Sequence, residues 1–144
     1  IGEVIIGIIL VVFASIKGGI VYTPSKIAIM ILMILLATVL YTSIKLFLAS
    51  LAFWIKRSQS ILFMFYSMSE FAKYPLEIYH KFIRTFITYI VPFALTAYIP
   101  ASYFLGHTSL LKSLGLTFIT STVSLIIGLF TFNKGIKRYE SAGN

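Results

Sequence analysis

The stretch at residues 27–55, which reads IAIMILMILLATVLYTSIKLFLASLAFWI, determines the class of this protein. A helix needs about 20 apolar residues to cross the hydrocarbon core of a bilayer. At about 1.5 Å per residue, this stretch would reach about 43 Å as a helix. Lys45 is the single charge inside it, and Phe53 and Trp54 lie near its end, where an aromatic belt meets the headgroups. The stretch therefore predicts a membrane-spanning helix that tilts or extends into a headgroup region.

The composition of the whole chain supports a membrane location. Of its 144 residues, 59% are hydrophobic and 11% are charged, whereas soluble domains carry about 25% charged residues. Lysine and arginine number 12 against 4 acidic residues, and they lie mostly in short runs between apolar stretches. That pattern favours the positive-inside rule over nucleic-acid binding. The absence of cysteine excludes disulfides and thiol chemistry. We therefore expect membrane lipids as surroundings and no nucleic-acid partner.

Further apolar segments at residues 4–16, 82–104 and 114–132 extend this prediction along the chain. The first is shorter than the roughly 20 residues of a full span, so we expect that the sequence begins inside a helix. Residues 58–73 carry a narrow polar stripe at three-residue spacing, which is typical of a helix lying in the membrane interface. The predicted architecture is an all-α polytopic transmembrane helix bundle with about four spans plus one interfacial helix.

The distribution of basic residues predicts the orientation of the chain. The connection between the second and third segments and the C-terminal tail together hold eight basic residues, whereas the opposite loops hold three. The positive-inside rule then places the tail and an interfacial connector at residues 58–81 on the cytoplasmic side. The eight residues are Lys56, Arg57, Lys73, Lys81, Arg84, Lys134, Lys137 and Arg138, and the three are Lys17, Lys26 and Lys112.

Lys45 is a candidate functional residue because charges inside a membrane are costly and often functional. It shares a helical stripe with small and polar residues, which favours a position facing protein or a water-filled path. The alternative is that its side chain snorkels to the cytoplasmic headgroups. Glu3 is a candidate partner, since helical rise places it about 7 Å from the depth of Lys45.

Proline residues mark candidate moving parts. Pro92 lies inside the third segment, where it removes a backbone donor and predicts a kink, either a hinge or a static bend. Pro100 lies near the far end of that segment. Tyr74 and Pro75 join the predicted interfacial helix to the segment. These four residues are therefore candidates for a role in conformational change.

The last segment predicts a helix-packing face rather than a reactive site. Thr120, Ser124 and Gly128 recur every four residues, a pattern that lets helix backbones approach closely.

The chain has no aspartate, and we expect its two histidines, His80 and His107, on opposite sides of the membrane. It also lacks a phosphate-binding glycine loop. We therefore predict no catalytic, cofactor-binding or metal site, and no enzyme activity of the chain itself.

Two motifs carry a resemblance to a known family. Residues 70–79 read EFAKYPLEIY, and the blocks IVPF at 90–93 and YIPA at 98–101 follow them. This order resembles the ABC-2 family of transporter permeases, in the bacterial subgroup with an aromatic-rich F-A-R-Y-P-L-x-I-Y connector. The tail at residues 135–144 is similar to the C-terminus of that subgroup.

The resemblance implies a function that the composition does not. Such permeases have six spans with both termini in the cytoplasm, and two identical or different permease subunits pair with two separate ATPase subunits to export a substrate. Residues 1–144 would then form a permease domain that lacks the first two spans and lies in a bacterial plasma membrane. The rival hypothesis is a non-transport membrane assembly or immunity subunit that only packs against partner helices.

Overall fold

A computed structural model of the chain describes residues 2–55 and 58–137, apart from the side chains at positions 3, 58, 59, 62, 72 and 73. All regular structure in these ranges is helical, as predicted. Short 3-10 turns and one π-turn connect or extend the α-helices. The α-helices are α1 (Gly2–Lys17), α2 (Pro24–Ser50), α3 (Ser58–Ser69), α4 (Lys81–Thr85), α5 (Tyr98–Phe104) and α6 (Leu110–Ile136).

Within residues 2–55 and 58–137, two helices are long and apolar enough to cross a membrane. The first combines α2 with a 3-10 turn and runs over Pro24–Phe53, and the second is α6. Each begins with a capped N-terminus, since the Thr23 and Ser109 hydroxyls accept hydrogen bonds from the backbone N–H groups of Lys26 and Lys112. Such caps satisfy donors that a helix start leaves unpaired. The predictions for the second and fourth segments are therefore confirmed.

The helices α2 and α6 pack in parallel. Gly128 lies against Ser43, where an added Cβ would be 3.0 Å from the Ser43 carbonyl oxygen, and Gly135 lies against the ring of Phe53. The two contacts follow each other in the same direction along both helices. We therefore define an upper end of the bundle, around Pro24 and Leu110, and a lower end, around Phe53 and Ile136.

The predicted third span is broken in the middle. Lys81–Ile90 and Phe93–Phe104 are two helical arms, and the helix axis bends by 71° between them. The described residues thus contain two candidate spans, or up to three if the bent pair is counted as one. The helix α1 is an apolar helix that falls short of full span length. The predicted total of four spans is not confirmed.

Both arms of the bent pair connect to the upper end. Leu105, which follows the second arm, lies against Gly18 at the end of α1. Glu77, which precedes the first arm, accepts a hydrogen bond from the Tyr98 hydroxyl and lines a cavity with His107. The break at Pro92 lies deep in the bundle, beside Ser43 and Ser124. The arms therefore enter and leave at one end, as a re-entrant hairpin does.

This geometry changes the expected path of the connector. Residues 58–81 begin after the lower end of α2, yet Glu77 lies at the upper end beside His107. The expectation that His80 and His107 lie on opposite sides was wrong, because His80 follows Glu77 by three residues. The cytoplasmic-side placement of the connector at residues 58–81 stays a prediction, while the shared cavity of Glu77 and His107 favours a connector that runs from the lower end to the upper end. Lys81 and Arg84 follow Glu77 at the upper end, so the count of eight basic residues on one side and three on the other no longer applies.

The helix α3 packs into the core instead of resting only at the interface. Phe65 is 1% exposed, and its ring lies 5.3 Å from that of Tyr41 and 5.2 Å from that of Phe93. Aromatic pairs at this spacing stabilise packing beyond the area that they bury. The polar stripe of residues 58–73 occupies one narrow face, so the opposite face remains available for the core.

Candidate functional site

An interior cavity of about 280 Å³ surrounds the tip of the re-entrant hairpin. Its walls are mostly apolar and come from four parts of the chain, with the hydroxyl-bearing residues Ser43 and Ser124 among them. The Ser43 hydroxyl donates to the carbonyl oxygen of Val39, 2.5 Å away, so the cavity offers few free polar groups. The mostly apolar cavity has room for an apolar group. It also leaves space for the hairpin tip to move.

Pro92 lies buried at this tip and lines the interior cavity. The preceding π-turn closes with a hydrogen bond from the Val91 N–H to the Phe86 carbonyl oxygen, and the Phe93 N–H donates to the Val91 carbonyl oxygen. The predicted kink inside a continuous helix is therefore a sharper feature, a break between two short helical arms. Proline suits such a break because it has no N–H to pair.

The other candidate residues of the connector and the hairpin lie elsewhere. Tyr74 and Pro75 are exposed and line an upper cavity of about 450 Å³ together with Glu77, Tyr98 and His107. Pro100 is buried in the first turn of α5, where a helix needs no N–H donor. The structure thus brings Tyr74 and Pro75 to the upper cavity and separates both from Pro92.

Glu77 is the charged centre of the upper cavity. The hydrogen bond that Tyr98 donates lowers the pKa of the Glu77 carboxyl below its ordinary value, with help from backbone hydrogen bonding at Glu77 itself. The positive charge of Arg84 and the nearby His107 lower the same pKa further. The carboxylate therefore stays ionised at neutral pH and holds the connector to α5.

Sequence reasoning missed this pair because its partners are 21 residues apart. Glu77 lies in the EFAKYPLEIY motif and Tyr98 in the YIPA block, so the sequence analysis identifies both motifs but not their contact. Their meeting depends on the hairpin, which no local spacing reveals.

Lys45 is exposed on α2, and its Nζ lies 5.2 Å from the centre of the Tyr66 ring. A cation over an aromatic face is attracted by the ring quadrupole, so the pair ties α2 to α3. The Glu3 side chain lies outside the described residues, and its pairing with Lys45 stays a prediction.

The packing face of α6 is shifted from the predicted one. Gly128 is buried, whereas Thr120 and Ser124 are only half-buried. Three other small residues, Ser113, Thr117 and Ser121, are fully buried. Their hydroxyls are satisfied by carbonyl oxygens, and that of Ser113 donates to Ile99 and so joins α6 to α5.

A seven-residue repeat was the signal for this face. Ser121, Gly128 and Gly135 follow one another at this spacing on α6, and Ser43 and Ser50 repeat it on α2. All five are buried. A period of seven keeps one seam of a helix facing its neighbour, and small residues let the backbones approach.

Comparison with known proteins gives one finding. The family described as ABC-2 family transporter protein matches residues 1–143. A search of curated proteins and a search of solved structures gave no match. Proteins of this family are membrane components of transporters, are not themselves catalytic, and generally work with an ABC ATPase. Because the match covers essentially the whole sequence, this chain belongs to the ABC-2 family of transporter proteins.

Proposed function

We propose that this chain is a membrane-spanning permease subunit of an ATP-driven ABC-2-type export system. It forms the substrate path with a second permease subunit, identical or different, while a separate ABC ATPase supplies the energy. The family match over residues 1–143 is the observation that carries this proposal.

The packing of the helices supports a transport cycle. The parallel pair α2 and α6 forms a seam of small residues whose buried hydroxyls are satisfied, which favours a rigid unit. The hairpin tip instead borders a cavity, and Pro92 interrupts its helical structure. A rigid pair beside a hairpin with free space at its tip suits the rearrangement that alternating access requires.

We still propose that the chain crosses the membrane four times. The third crossing is formed by residues 58–73 and not by residues 82–104. If residues 58–73 carry the chain from the lower to the upper end, then α1, α2, these residues and α6 cross in turn. The helix α3 and the 3-10 turn Glu70–Lys73 that follows it have 16 residues and would span about 26 Å. A bilayer can thin locally around such a short segment.

The orientation that we propose places the lower end and the C-terminus in the cytoplasm of a bacterial cell. It rests on the resemblance to permeases whose termini are cytoplasmic. Lys134 and Lys137 at the lower end are compatible with it.

Purification of the intact complex from its native membrane, through an affinity tag on this chain, tests the proposal. We expect an ATPase that contains a P-loop, a permease subunit and measurable ATP turnover in the purified complex. As a control, replacement of the P-loop lysine of that ATPase should stop turnover and leave the complex assembled. Recovery of this chain with other membrane proteins but no ATPase would contradict the proposal and favour the assembly-subunit hypothesis.

A further inference from the structure

The upper cavity has the size and the lining of a site for a small molecule. Its volume of about 450 Å³ lies within the range of small-molecule pockets, roughly 300–1,000 Å³. Tyr74 and Tyr98 contribute aromatic rings, and Ala97, Ala101 and Leu105 contribute apolar side chains. The cavity therefore offers a nonpolar surface to the body of a ligand.

Glu77 is the acidic residue in this lining. Its carboxylate is ionised at neutral pH, because the Tyr98 hydroxyl donates a hydrogen bond to it and lowers its pKa. A carboxylate can accept about four hydrogen bonds, so it can accept more beside the one from Tyr98. Arg84 and His107 lower the same pKa less than this bond does, and Arg84 does not line the cavity. With histidine neutral, the charge that faces the cavity is therefore negative.

The lining of the upper cavity is held in place by contacts beneath it. Leu76, which precedes Glu77, is 4% exposed and belongs to a cluster against which Tyr98 packs. The His107 N–H donates to the Ser102 carbonyl oxygen, 2.9 Å away, and Ser102 is itself buried. A preorganised site loses little conformational entropy when a ligand binds. These contacts therefore favour a binding site over an accidental surface depression.

An ammonium group on a small apolar body complements this lining. Its N–H donors pair with a carboxylate in charge-assisted hydrogen bonds, and the faces of tyrosine rings attract cations. An anion would be repelled by Glu77. A metal ion is less suited, because the described parts of the chain hold no group of three or more histidine, cysteine or acidic residues that could bind one.

We propose that the upper cavity binds a primary organic amine. The ammonium group pairs with the Glu77 carboxylate, and the hydrocarbon part lies against Tyr74, Ala101 and Leu105. This site is separate from the interior cavity at the hairpin tip and goes beyond the export function. Its occupancy requires no ATP, so the proposed export function can stand even if this proposal fails.

Calorimetric titration of the intact complex, purified in detergent without nucleotide, tests the charge of the ligand. The probes are phenethylamine and phenethyl alcohol, which differ only in the ammonium or hydroxyl group at the end of the same hydrocarbon. We expect the amine to bind at least about tenfold more tightly than the alcohol. Equal affinities, or no binding of the amine, would overturn the proposal.

Removal of the carboxylate charge tests the role of Glu77. The substitution Glu77→Gln keeps an oxygen that can accept the hydrogen bond from Tyr98, and it should weaken phenethylamine binding about tenfold without affecting phenethyl alcohol. Glu70→Gln is the matched control, because Glu70 lies on the same connector and does not line the cavity. Unchanged affinity of the Glu77→Gln complex for phenethylamine would contradict the proposal.

A second variant applies even if Glu77→Gln does not fold. Ala101 is exposed and lines the cavity, so Ala101→Phe should fill the space without disturbing the core and should abolish phenethylamine binding. Ala28→Phe is the control, because Ala28 is equally exposed on α2 and lies outside the lining. If the Ala101→Phe complex binds phenethylamine normally, the amine lies elsewhere and the proposal is wrong.

Two sources supply an ammonium group at this end, a soluble amine and the headgroup of phosphatidylethanolamine. Native mass spectrometry of the complex with bound phosphatidylethanolamine distinguishes them. Displacement of this lipid by phenethylamine, absent in the Ala101→Phe complex, would support the site and identify a lipid headgroup as the occupant. Binding of phenethylamine without loss of lipid would support the site and identify a soluble amine.

Discussion

Gly128 sets how closely α2 and α6 approach, because any side chain there meets the backbone of α2. A Cβ would lie 3.0 Å from the Ser43 carbonyl oxygen, which cannot rotate away as a side chain can. We expect Gly128→Ala to destabilise the protein by about 1–3 kcal/mol, as overpacking does, and Gly128→Leu to impair assembly. Thermal unfolding of the detergent-purified complex measures this change.

The matched control for Gly128 lies on the same helix. Gly115 has open space around an added Cβ, so Gly115→Ala should preserve or raise stability through helix propensity alone. Equal melting temperatures for the two alanine variants would place Gly128 outside the close contact that we describe.

The hydrogen bond from Tyr98 makes the stability of the upper end depend on pH. It lowers the pKa of Glu77 below the ordinary 4.5, so it stabilises the fold above that value and is lost as the pH falls through the lowered pKa. Tyr98→Phe should therefore lower the melting temperature at neutral pH. The difference from the unmodified protein should shrink as the pH falls below 4.5 and disappear once the pH is below the lowered pKa of Glu77. A difference that persists in acid would show that Tyr98 acts through packing and not through Glu77.

At the scale of elements, the re-entrant hairpin makes a prediction about accessibility. The chain has no cysteine, so single cysteines report position without background. Ile78 is 64% exposed, and Ile78→Cys and Thr108→Cys should react with an impermeant thiol reagent from the same side of the membrane. Lys137→Cys should react only from the other side. Reaction of positions 78 and 137 from one side would contradict the hairpin and support a full span over residues 82–104.

Pro92 is the element-scale candidate for a hinge, and its role in motion is a prediction. Pro92→Ala in the intact complex should leave expression and assembly near normal, because the break is also held by turn hydrogen bonds around Val91. Export or substrate-stimulated ATP turnover should fall. Normal transport by an assembled Pro92→Ala complex would show that the break is static.

Sequence patterns predict the long helices better than the contacts between them. Hydropathy and the Thr23 and Ser109 caps are local, so α2 and α6 follow directly from the residues that form them. The hairpin depends on Glu77 meeting Tyr98 across 21 residues, and hydropathy reads both arms as one apolar segment. The burial of Phe65 was equally hidden, because α3 is apolar on most of its surface and its polar stripe indicates only the solvent side.

Sequence patterns likewise locate some features of the candidate site and miss others. Proline chemistry marks the chain break at Pro92 correctly but does not say that the chain turns back there. The four-residue pattern at Thr120, Ser124 and Gly128 finds the right helix, and the seven-residue repeat of small residues defines the buried seam. Lys45 has a partner in Tyr66 that lies on another helix and follows no periodicity.

At the scale of the whole molecule, this member of the ABC-2 family combines a closely packed pair of helices, a hairpin beside a cavity and an exposed apolar α1. We propose that the assembled complex uses ATP to move a substrate across the membrane. ATP-dependent accumulation in inside-out vesicles that contain the complex tests this claim most directly. The vesicles are incubated with a cell extract, and their contents are compared by mass spectrometry with ATP and with a non-hydrolysable analogue. We predict that one class of compound accumulates with ATP and not with the non-hydrolysable analogue. This accumulation should fall in the Pro92→Ala complex. If an assembled complex hydrolyses ATP and no compound accumulates from the extract, the result would contradict an export function.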